Sequence, residues 1–288
     1  MAETWTIEGP KVLDVGGEGE RVAALKVGIV GGRIDVVTHD DSPAARVEVS
    51  EVEGQPVLVR WDGSRLQITQ GKDSDSSLID RARSRFEGIE RNRVVISVSI
   101  PQDASAQVST VSAGGLVSGV RGRVKANTVS GSFTIDDIVG NTDVNTVSGD
   151  VECQHIRGHL RINSVSGMVT ARQCDLPSVG VLTVSGDVAL DLTNSTAAIS
   201  STSVSGDITV RAPHDGYSVK ANTASGQVVV DGRELRRGPH AAGGQLTDGN
   251  GSLQVKANAV SGNIVVLRAE SGRPASDGAA GGDGQQAV

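Results

Sequence analysis

The tripeptide Val-Ser-Gly recurs through the second half of this chain at nearly constant spacing. Successive copies lie 18, 18, 19, 20, 20 and 36 residues apart, and the last gap has room for two units or for one unit with a long insertion. The glycines that end the copies are Gly131, Gly149, Gly167, Gly186, Gly206, Gly226 (in Ala-Ser-Gly) and Gly262. A related first copy ends at Gly114. A fixed period of this length is typical of folds that stack one small unit on the next.

Each unit carries two short patterns of alternating apolar and polar residues, which predict half-buried strands. The first pattern occupies the second and fourth positions after each glycine, and the second lies seven and five positions before the next glycine, as in Val124 and Ala126. The residues of the first pattern are Phe133/Ile135, Val151/Cys153, Val169/Ala171, Val188/Leu190, Ile208/Val210, Val228/Val230 and Ile264/Val266. The glycine itself is predicted to mark a corner that needs positive φ or a close backbone approach.

Two further columns of residues follow from the same alignment. The valine of each Val-Ser-Gly is predicted to point into the core: Val129, Val147, Val165, Val184, Val204 and Val260. An asparagine stands four residues before the glycine in most units, at Asn127, Asn145, Asn163, Asn222 and Asn258, with Leu182 and Thr202 in two middle units. Stacked about 4.8 Å apart, these amides are expected to form a structural ladder rather than a binding site.

These patterns predict an all-β fold, a repetitive β-solenoid (β-helix) with coils of about 18–20 residues. The chain has only five aromatic residues, too few for a rounded globular core but enough for a thin core that is renewed coil by coil. Residues 1–70 are interpreted as degenerate coils of the same solenoid, with a separate β-sandwich left open as the alternative. Residues 94–267 form the regular part.

Three segments interrupt the repeat. Residues 71–93 are predicted to be a short helical or irregular flap, because apolar residues fall at helical spacing among five arginines. A membrane-binding amphipathic helix over residues 76–93 is the alternative for that segment. Residues 232–251 are predicted to be a long loop, and residues 268–288 a disordered tail.

No catalytic, cofactor-binding or metal site is predicted. Cys153, His155 and His159 have the side chains of a metal site, but Cys153 falls on an inward position and no fourth ligand is evident. Asp150, Asp187 and Asp207 each follow a repeat glycine and are interpreted as a solvated face. No disulfide is expected between Cys153 and Cys174.

Charge and hydropathy exclude several classes. The net charge of −7 argues against nucleic-acid binding. The acidic start and the lack of a long apolar run give no signal peptide or membrane span, so a cytoplasmic protein is expected, with peripheral membrane contact left open.

The repeated Thr-Val-Ser-Gly-Asp followed by Val-x-Leu or Ile-x-Val resembles the bacterial putative-adhesin family of β-strand-repeat domains, most clearly over residues 94–267. The resemblance implies a β-solenoid and an adhesive or envelope-associated role, and it supplies no catalytic residues. The leading hypothesis is a non-enzymatic interaction or scaffold module with a protein or cell-envelope partner. The alternatives are a self-assembling scaffold resembling bactofilins, an ice-binding face of Thr-x-Ser pairs, and a β-helix enzyme acting on polysaccharides.

Overall fold

The computed structural model describes residues 2–17, 19–71, 92–213, 216–238 and 241–269, in which every regular element is a β-strand. Before residue 102 these strands are β1 (Glu3–Ile7), β2 (Lys11–Val15), β3 (Ala24–His39), β4 (Ala45–Glu53), β5 (Val57–Trp61), β6 (Arg65–Gln70) and β7 (Arg93–Pro101). The middle of the chain forms β8 (Ser105–Ser118), β9 (Val124–Ser130), β10 (Phe133–Asp136), β11 (Val139–Ser148), β12 (Val151–Gln154), β13 (Arg157–Ser166), β14 (Val169–Ser185), β15 (Val188–Leu192), β16 (Ala197–Ser205) and β17 (Ile208–Ala212). The last strands are β18 (Tyr217–Ser225), β19 (Val228–Val230), β20 (Arg233–Glu234), β21 (Arg236–Gly238), β22 (Ala241–Asp248), β23 (Leu253–Ser261) and β24 (Ile264–Arg268). All 24 belong to one hydrogen-bonded sheet, which confirms the all-β prediction.

Strands from successive repeats pair in parallel, in two columns. In the column that follows each repeat glycine, Phe133 lies beside Val151 and Val151 beside Val169. In the column that leads to the next glycine, Asn127 lies beside Asn145. The pairing therefore joins residues that occupy the same position of the repeat.

A ring of seven parallel strands closes the middle of the molecule. The ring runs through β8, β10, β12, β14, β13, β11 and β9 and back to β8. Strands β8 and β14 are long enough to contribute to both columns, which is what closes the ring. The further strands extend both columns beyond it.

The inward positions assigned from the alternation are buried. Residues two and four places after the repeat glycines, including Phe133, Ile135 and Cys153, all belong to one continuous apolar core. Val124 and Ala126 and their counterparts in the second column are buried as well, and two of these counterparts, Thr142 and Ser201, are polar. Since strand side chains alternate between the two faces, the residues between them point to solvent.

The valines of Val-Ser-Gly point outward, and their predicted inward placement was wrong. Their exposed fractions run from 41% at Val129 to 56% at Val260. The alternation continues without a break to the residue before each valine, so Thr128 and Thr183 take the inward positions instead. The proposed Thr-x-Ser face for ice binding is lost for the same reason, because its threonines lie inside.

The repeat glycines allow successive corners to approach each other closely. At Gly149, φ is 149°, and an added Cβ would overlap the carbonyl oxygen of Gly131. The same contact recurs from Gly131 to Gly262, as the sequence predicted. A second glycine column, Gly122, Gly140 and Gly158, was not recognised from the sequence. An added Cβ would overlap the carbonyl oxygen of the preceding member at Gly140 and at Gly158, whereas Gly122 has only ordinary contacts.

Residues 1–70 join the same sheet and do not form a separate one. Strand β3 lies between β8 on one side and β6 and β7 on the other, parallel to all three. Beyond β6 and β7 the pairing becomes antiparallel, through β5 to β1 and through β4 to β2. The repeats at this end therefore differ from those in the middle in strand direction.

At the other end, the last repeat in sequence is not the last in space. Strand β23 lies between β16 and β18, and β24 lies between β17 and β19. Strand β22 then covers the free edge of β18 in the antiparallel direction. Residues 232–251, predicted to be a loop, thus carry strands, because the edge of β18 needs hydrogen-bond partners.

Two predicted segments fall almost wholly outside the described residues: the flap at 71–93, of which 72–91 are not described, and the tail at 268–288, described only to residue 269. Within the described part, the structure has no helix that could span a membrane.

Candidate binding groove

The asparagine ladder predicted from the sequence is present. The side-chain amide of Asn145 donates to Asn127 Oδ1 (3.0 Å), and that of Asn163 donates to Asn145 Oδ1 (2.8 Å). The Asn222 amide donates to Asn258 Oδ1 across 3.3 Å. These amides use their hydrogen-bonding groups on each other, which suits a structural role.

The aspartates after the repeat glycines also bind to the neighbouring repeat. Asp150 Oδ1 accepts the backbone N–H of Met168 at 2.8 Å, and Asp187 Oδ1 accepts that of Asp207 at 2.9 Å. Asp207 Oδ1 in turn accepts the N–H of Asn263 at 2.7 Å. The column predicted to be a solvated face is exposed, but its carboxylates join the repeats.

His155 lies at a corner where the backbone is left-handed, with φ of 49°. Its Nδ1 lies 2.9 Å from Asp136 Oδ1 and its Nε2 lies 2.8 Å from Gln173 Oε1, so the doubly protonated ring donates to both. The hydrogen bond to Asp136 and then that to Gln173 raise the pKa of His155, since both acceptors favour the doubly protonated ring. His155 thus links three successive repeats.

The other candidate ligands lie apart from His155. Cys153 and Cys174 are free and buried, and burial raises the pKa of both thiols. His159 lies on β13 and faces solvent. Among the described residues, no three His, Cys, Asp or Glu side chains are grouped as a metal site would require.

His159 instead lines a shallow groove of about 790 Å³ that crosses the outer face of the second column. The groove runs across strands β11, β13, β14, β16, β23, β18 and β22, where side chains between the inward positions face solvent. Its lining residues include Asn141, Ser178, Ser200, Gln245 and Gln254. The surface offered by these residues is one of hydroxyls and amides.

The charges in the groove are mainly positive, although the whole chain is acidic. Arg123, Arg161, Lys220 and Lys256 line it, and Asp143 is the one carboxylate among the lining residues that the structure describes. Arg161 forms one basic end of the row that contains Gly180 and Ser200, with Asp143 of β11 directly beside it, and Lys256 and Lys220 form the other basic end, all in the same position of their repeats. None of the four cations forms an ion pair with a carboxylate that the structure describes. Their charges are therefore available to a ligand.

Gly180 and Ser200 form the floor between the two basic ends. Gly180 lies beside Arg161 on one side and Ser200 on the other, and Ser200 lies beside Lys256. A Cβ added to Gly180 would meet nothing within 4 Å, and its φ is not in the left-handed region. Unlike the repeat glycines, Gly180 is not needed for the backbone.

Sequence reasoning missed this groove, although a signal for it exists. The residues six positions before the repeat glycines are Lys125, Asp143, Arg161, Gly180, Ser200, Lys220 and Lys256. Their alignment marks a column with basic ends and a small-residue middle. Lys256 lies between Ser200 and Lys220 only because the last repeat is inserted there, which the sequence alone does not indicate.

The fold and the groove together define an all-β repeat protein with an outward-facing, basic surface groove. The chain belongs to the Toastrack DUF4097 family, whose model matches residues 33–267. No protein of curated function matches the chain in sequence.

Three solved bacterial structures are similar to this chain. A putative adhesin from Parabacteroides distasonis is 14% identical, with a TM-score of 0.49 and 93% of this chain and 97% of that chain covered. A putative lipid binding protein from the same organism is 13% identical, with a TM-score of 0.46 and coverage of 90% and 97%. A putative cell adhesion protein from Clostridium sporogenes is 14% identical, with a TM-score of 0.27 and coverage of 90% and 100%. Likeness at this level does not indicate what this chain binds.

Proposed function

We propose that this protein is a non-enzymatic interaction module, a solenoid-like rod that displays rows of outward side chains to a protein or cell-envelope partner. The observation that carries the proposal is the register of the repeats. Asn127, Asn145 and Asn163 stand in one row and are joined by side-chain hydrogen bonds, so equivalent residues face the same way in successive repeats.

Such a surface acts through many weak contacts made at once. Neighbouring rows are about 4.8 Å apart, so a partner with a similar repeat meets the same side chain several times. When several contacts form together, the combined affinity exceeds that of each one by a large factor. An adhesin-like role needs this kind of binding and no chemical step.

The chemistry of the described residues supports a module without catalysis. The two thiols are buried with raised pKa values, which removes them as nucleophiles. His155 is held by Asp136 and Gln173, with no nucleophile at its ring nitrogens.

Binding of the full-length protein to immobilised cell-envelope fractions tests the proposal. We expect retention on at least one polysaccharide or protein fraction, with no change in that fraction's chain length after long incubation. Retention should fall when the protein is competed with soluble fragments of the same fraction. Absence of retention on every fraction, or measurable cleavage of the bound fraction, would contradict the proposal.

The ends of the stack argue against the alternative of end-to-end filaments. At both ends the parallel strands are covered by antiparallel ones, β5 and β4 at one end and β22 at the other. A second copy therefore does not meet the parallel strand edge through which successive repeats pair. Sedimentation across a wide concentration range distinguishes an interaction module from a self-assembling scaffold, because the size of the scaffold's assemblies would increase with protein concentration.

For the cellular location we keep the proposal made from the sequence, the cytoplasm. Protease treatment of intact source cells, followed by fractionation, tests it directly. Protection from protease supports a cytoplasmic protein, whereas degradation from outside supports the adhesin-like role at the cell surface.

A further inference from the structure

We infer that the basic groove of β11, β13, β14, β16, β23, β18 and β22 binds an acidic polysaccharide lying along the stack. This inference rests on the proposed function and names the ligand class of one of its displayed faces.

Charge gives the first argument. Arg123, Arg161, Lys220 and Lys256 line the groove against one carboxylate, Asp143, in a chain whose net charge is −7. Cations without carboxylate partners repel each other, and a bound anion relieves that repulsion. A negatively charged ligand is therefore favoured here over a neutral one.

The distance between the basic ends gives the length of the ligand. From Arg161 to Lys220 the column crosses Gly180, Ser200 and Lys256, which is four strand spacings or about 19 Å. A single carboxylate or phosphate cannot reach both ends. A linear chain with anionic groups along its length can.

Gly180 gives the second, independent argument. A glycine inside a strand lowers stability relative to a residue with a side chain, and it often marks a place where a ligand comes close to the backbone. The space above Gly180 is open and its backbone does not require glycine. Ser200 beside it is also small, so the ligand can lie directly on the sheet between the basic ends.

The remaining lining residues favour a carbohydrate. Ser178, Ser200, Ser218, Gln245 and Gln254 offer hydroxyls and amides, which match the many hydroxyls of a sugar chain. Among the described residues no Phe, Tyr or Trp lines the groove, so nucleotide bases lack the large aromatic rings on which they commonly stack. A flat bilayer would meet the cations at the rim but not the floor at Gly180.

The test measures binding of the full-length protein to polygalacturonate oligomers by calorimetry. The wild type should bind a decasaccharide, bind a disaccharide and neutral dextran far more weakly, and lose affinity as salt screens the charges. Lys220→Gln with Lys256→Gln should weaken binding about tenfold, because two ion pairs of modest strength are lost. Gly180→Trp should abolish binding by filling the floor.

Matched variants separate the groove from general effects. Arg172→Gln with Arg211→Gln removes the same charge from the outer face of the first column and should leave the affinity unchanged. Gly180→Ala should bind as the wild type does. Thermal melting identifies a variant that fails to fold, and since Lys220 and Lys256 are exposed, their double variant keeps the test valid even if Gly180→Trp does not fold.

Wild-type affinity in both Gly180→Trp and the double lysine variant would overturn the inference. So would equal, groove-dependent binding of single-stranded DNA or of anionic lipid vesicles. If the groove variants still bind envelope fractions, the acidic-polysaccharide inference fails while the interaction module stands. If the wild type binds neither envelope fractions nor polygalacturonate, the proposed function fails as well.

Discussion

Threonine and valine have nearly the same shape. Where the two are adjacent at a repeat corner, the threonine is buried and the valine is exposed, the reverse of what hydropathy suggests. Thr183 is buried, while Val184 next to it is 48% exposed. The inward position lies beside corner carbonyls that a hydroxyl can use: Thr223 Oγ1 lies 3.0 Å from the carbonyl oxygen of Gly262. The buried hydroxyl and the exposed valine follow from one uninterrupted alternation.

Two aspartate substitutions on the same strand test this assignment. Val181 is 3% exposed, so Val181→Asp places a charge without a partner in the core and should lower the free energy of unfolding by more than about 3 kcal/mol. Val184→Asp should change it by less than about 0.5 kcal/mol, because its side chain is already in solvent. Urea denaturation compares them, and equal destabilisation would show that Val184 faces the core.

The inner hydroxyls differ in how well they are satisfied, which gives a second comparison. Thr183 Oγ1 is buried with no hydrogen-bond partner among the described residues, whereas Thr110 Oγ1 donates to the carbonyl oxygen of Ala113 at 2.9 Å. Replacement by the isosteric valine should therefore stabilise the protein by about 1 kcal/mol at Thr183 and destabilise it by about 1 kcal/mol at Thr110. Thermal melting of the two variants should shift in opposite directions, and a shift in the same direction would contradict the assignment.

At the scale of the strand, Gly149, at the corner between β11 and β12, and Gly180, inside β14, have opposite effects on stability. An added Cβ at Gly149 would overlap the carbonyl oxygen of Gly131 at a φ of 149°, so Gly149→Ala should cost about 1–3 kcal/mol or more. Gly180→Ala meets no atom and should stabilise β14 by about 0.5–1 kcal/mol. Chemical denaturation of both variants measures their free energies of unfolding. If the backbone also requires glycine at position 180, both variants would be destabilised.

The corner at His155 joins three repeats through a titrating side chain. Its pKa is raised above 6.5 in the folded protein by the hydrogen bonds to Asp136 and then Gln173. A group whose pKa rises on folding stabilises the folded state below its unfolded pKa and loses that contribution as the pH rises through the folded value. The free energy of unfolding should therefore fall as the pH rises from 6.5 through the folded pKa.

His155→Gln is the matched variant for that pH dependence, because glutamine keeps a polar group at the corner but does not titrate. The variant should lack the step that the wild type shows between acidic and mildly alkaline pH. The effect should be small, since the His155 side chain is 53% exposed and solvent weakens its interactions. An identical pH profile in both proteins would remove His155 as the source.

Strands were predictable from the sequence to the extent that one face is buried. Phe133, Ile135 and Val124 follow strict alternation, and the core side of such a strand is set by where its apolar residues fall. The corner valines were misassigned because hydropathy was given priority over alternation there. The groove was missed for a different reason: it depends on Lys256 lying beside Ser200, which is a matter of spatial order and not of pattern.

For the molecule as a whole, the repeat fixes the register of neighbouring units but not their order. Because all units share the same positions, β23 can pair as well with β16 as β18 can, and the alignment of sequences does not choose between them. Strand β3 shows the same arrangement at the other end, between β8 and the later strands β6 and β7. At each end, therefore, one unit lies between two units that follow each other in the chain.

Because the last unit in the chain lies between two earlier units, its removal should disturb both of them. A truncation tests this spatial order. A chain that ends at Ser252 lacks β23 and β24, so β18 loses its parallel partner and β16 keeps β14 but loses the parallel partner on its other edge. We expect the backbone amides of 197–205 and of 217–225 to lose protection from hydrogen exchange together, because buried strand edges are left unpaired. A chain that ends at Ala269 keeps every described strand and should match the full chain. If the units were stacked in chain order, removal of the last would expose a single edge and leave 197–205 protected, and that result would refute the inserted order.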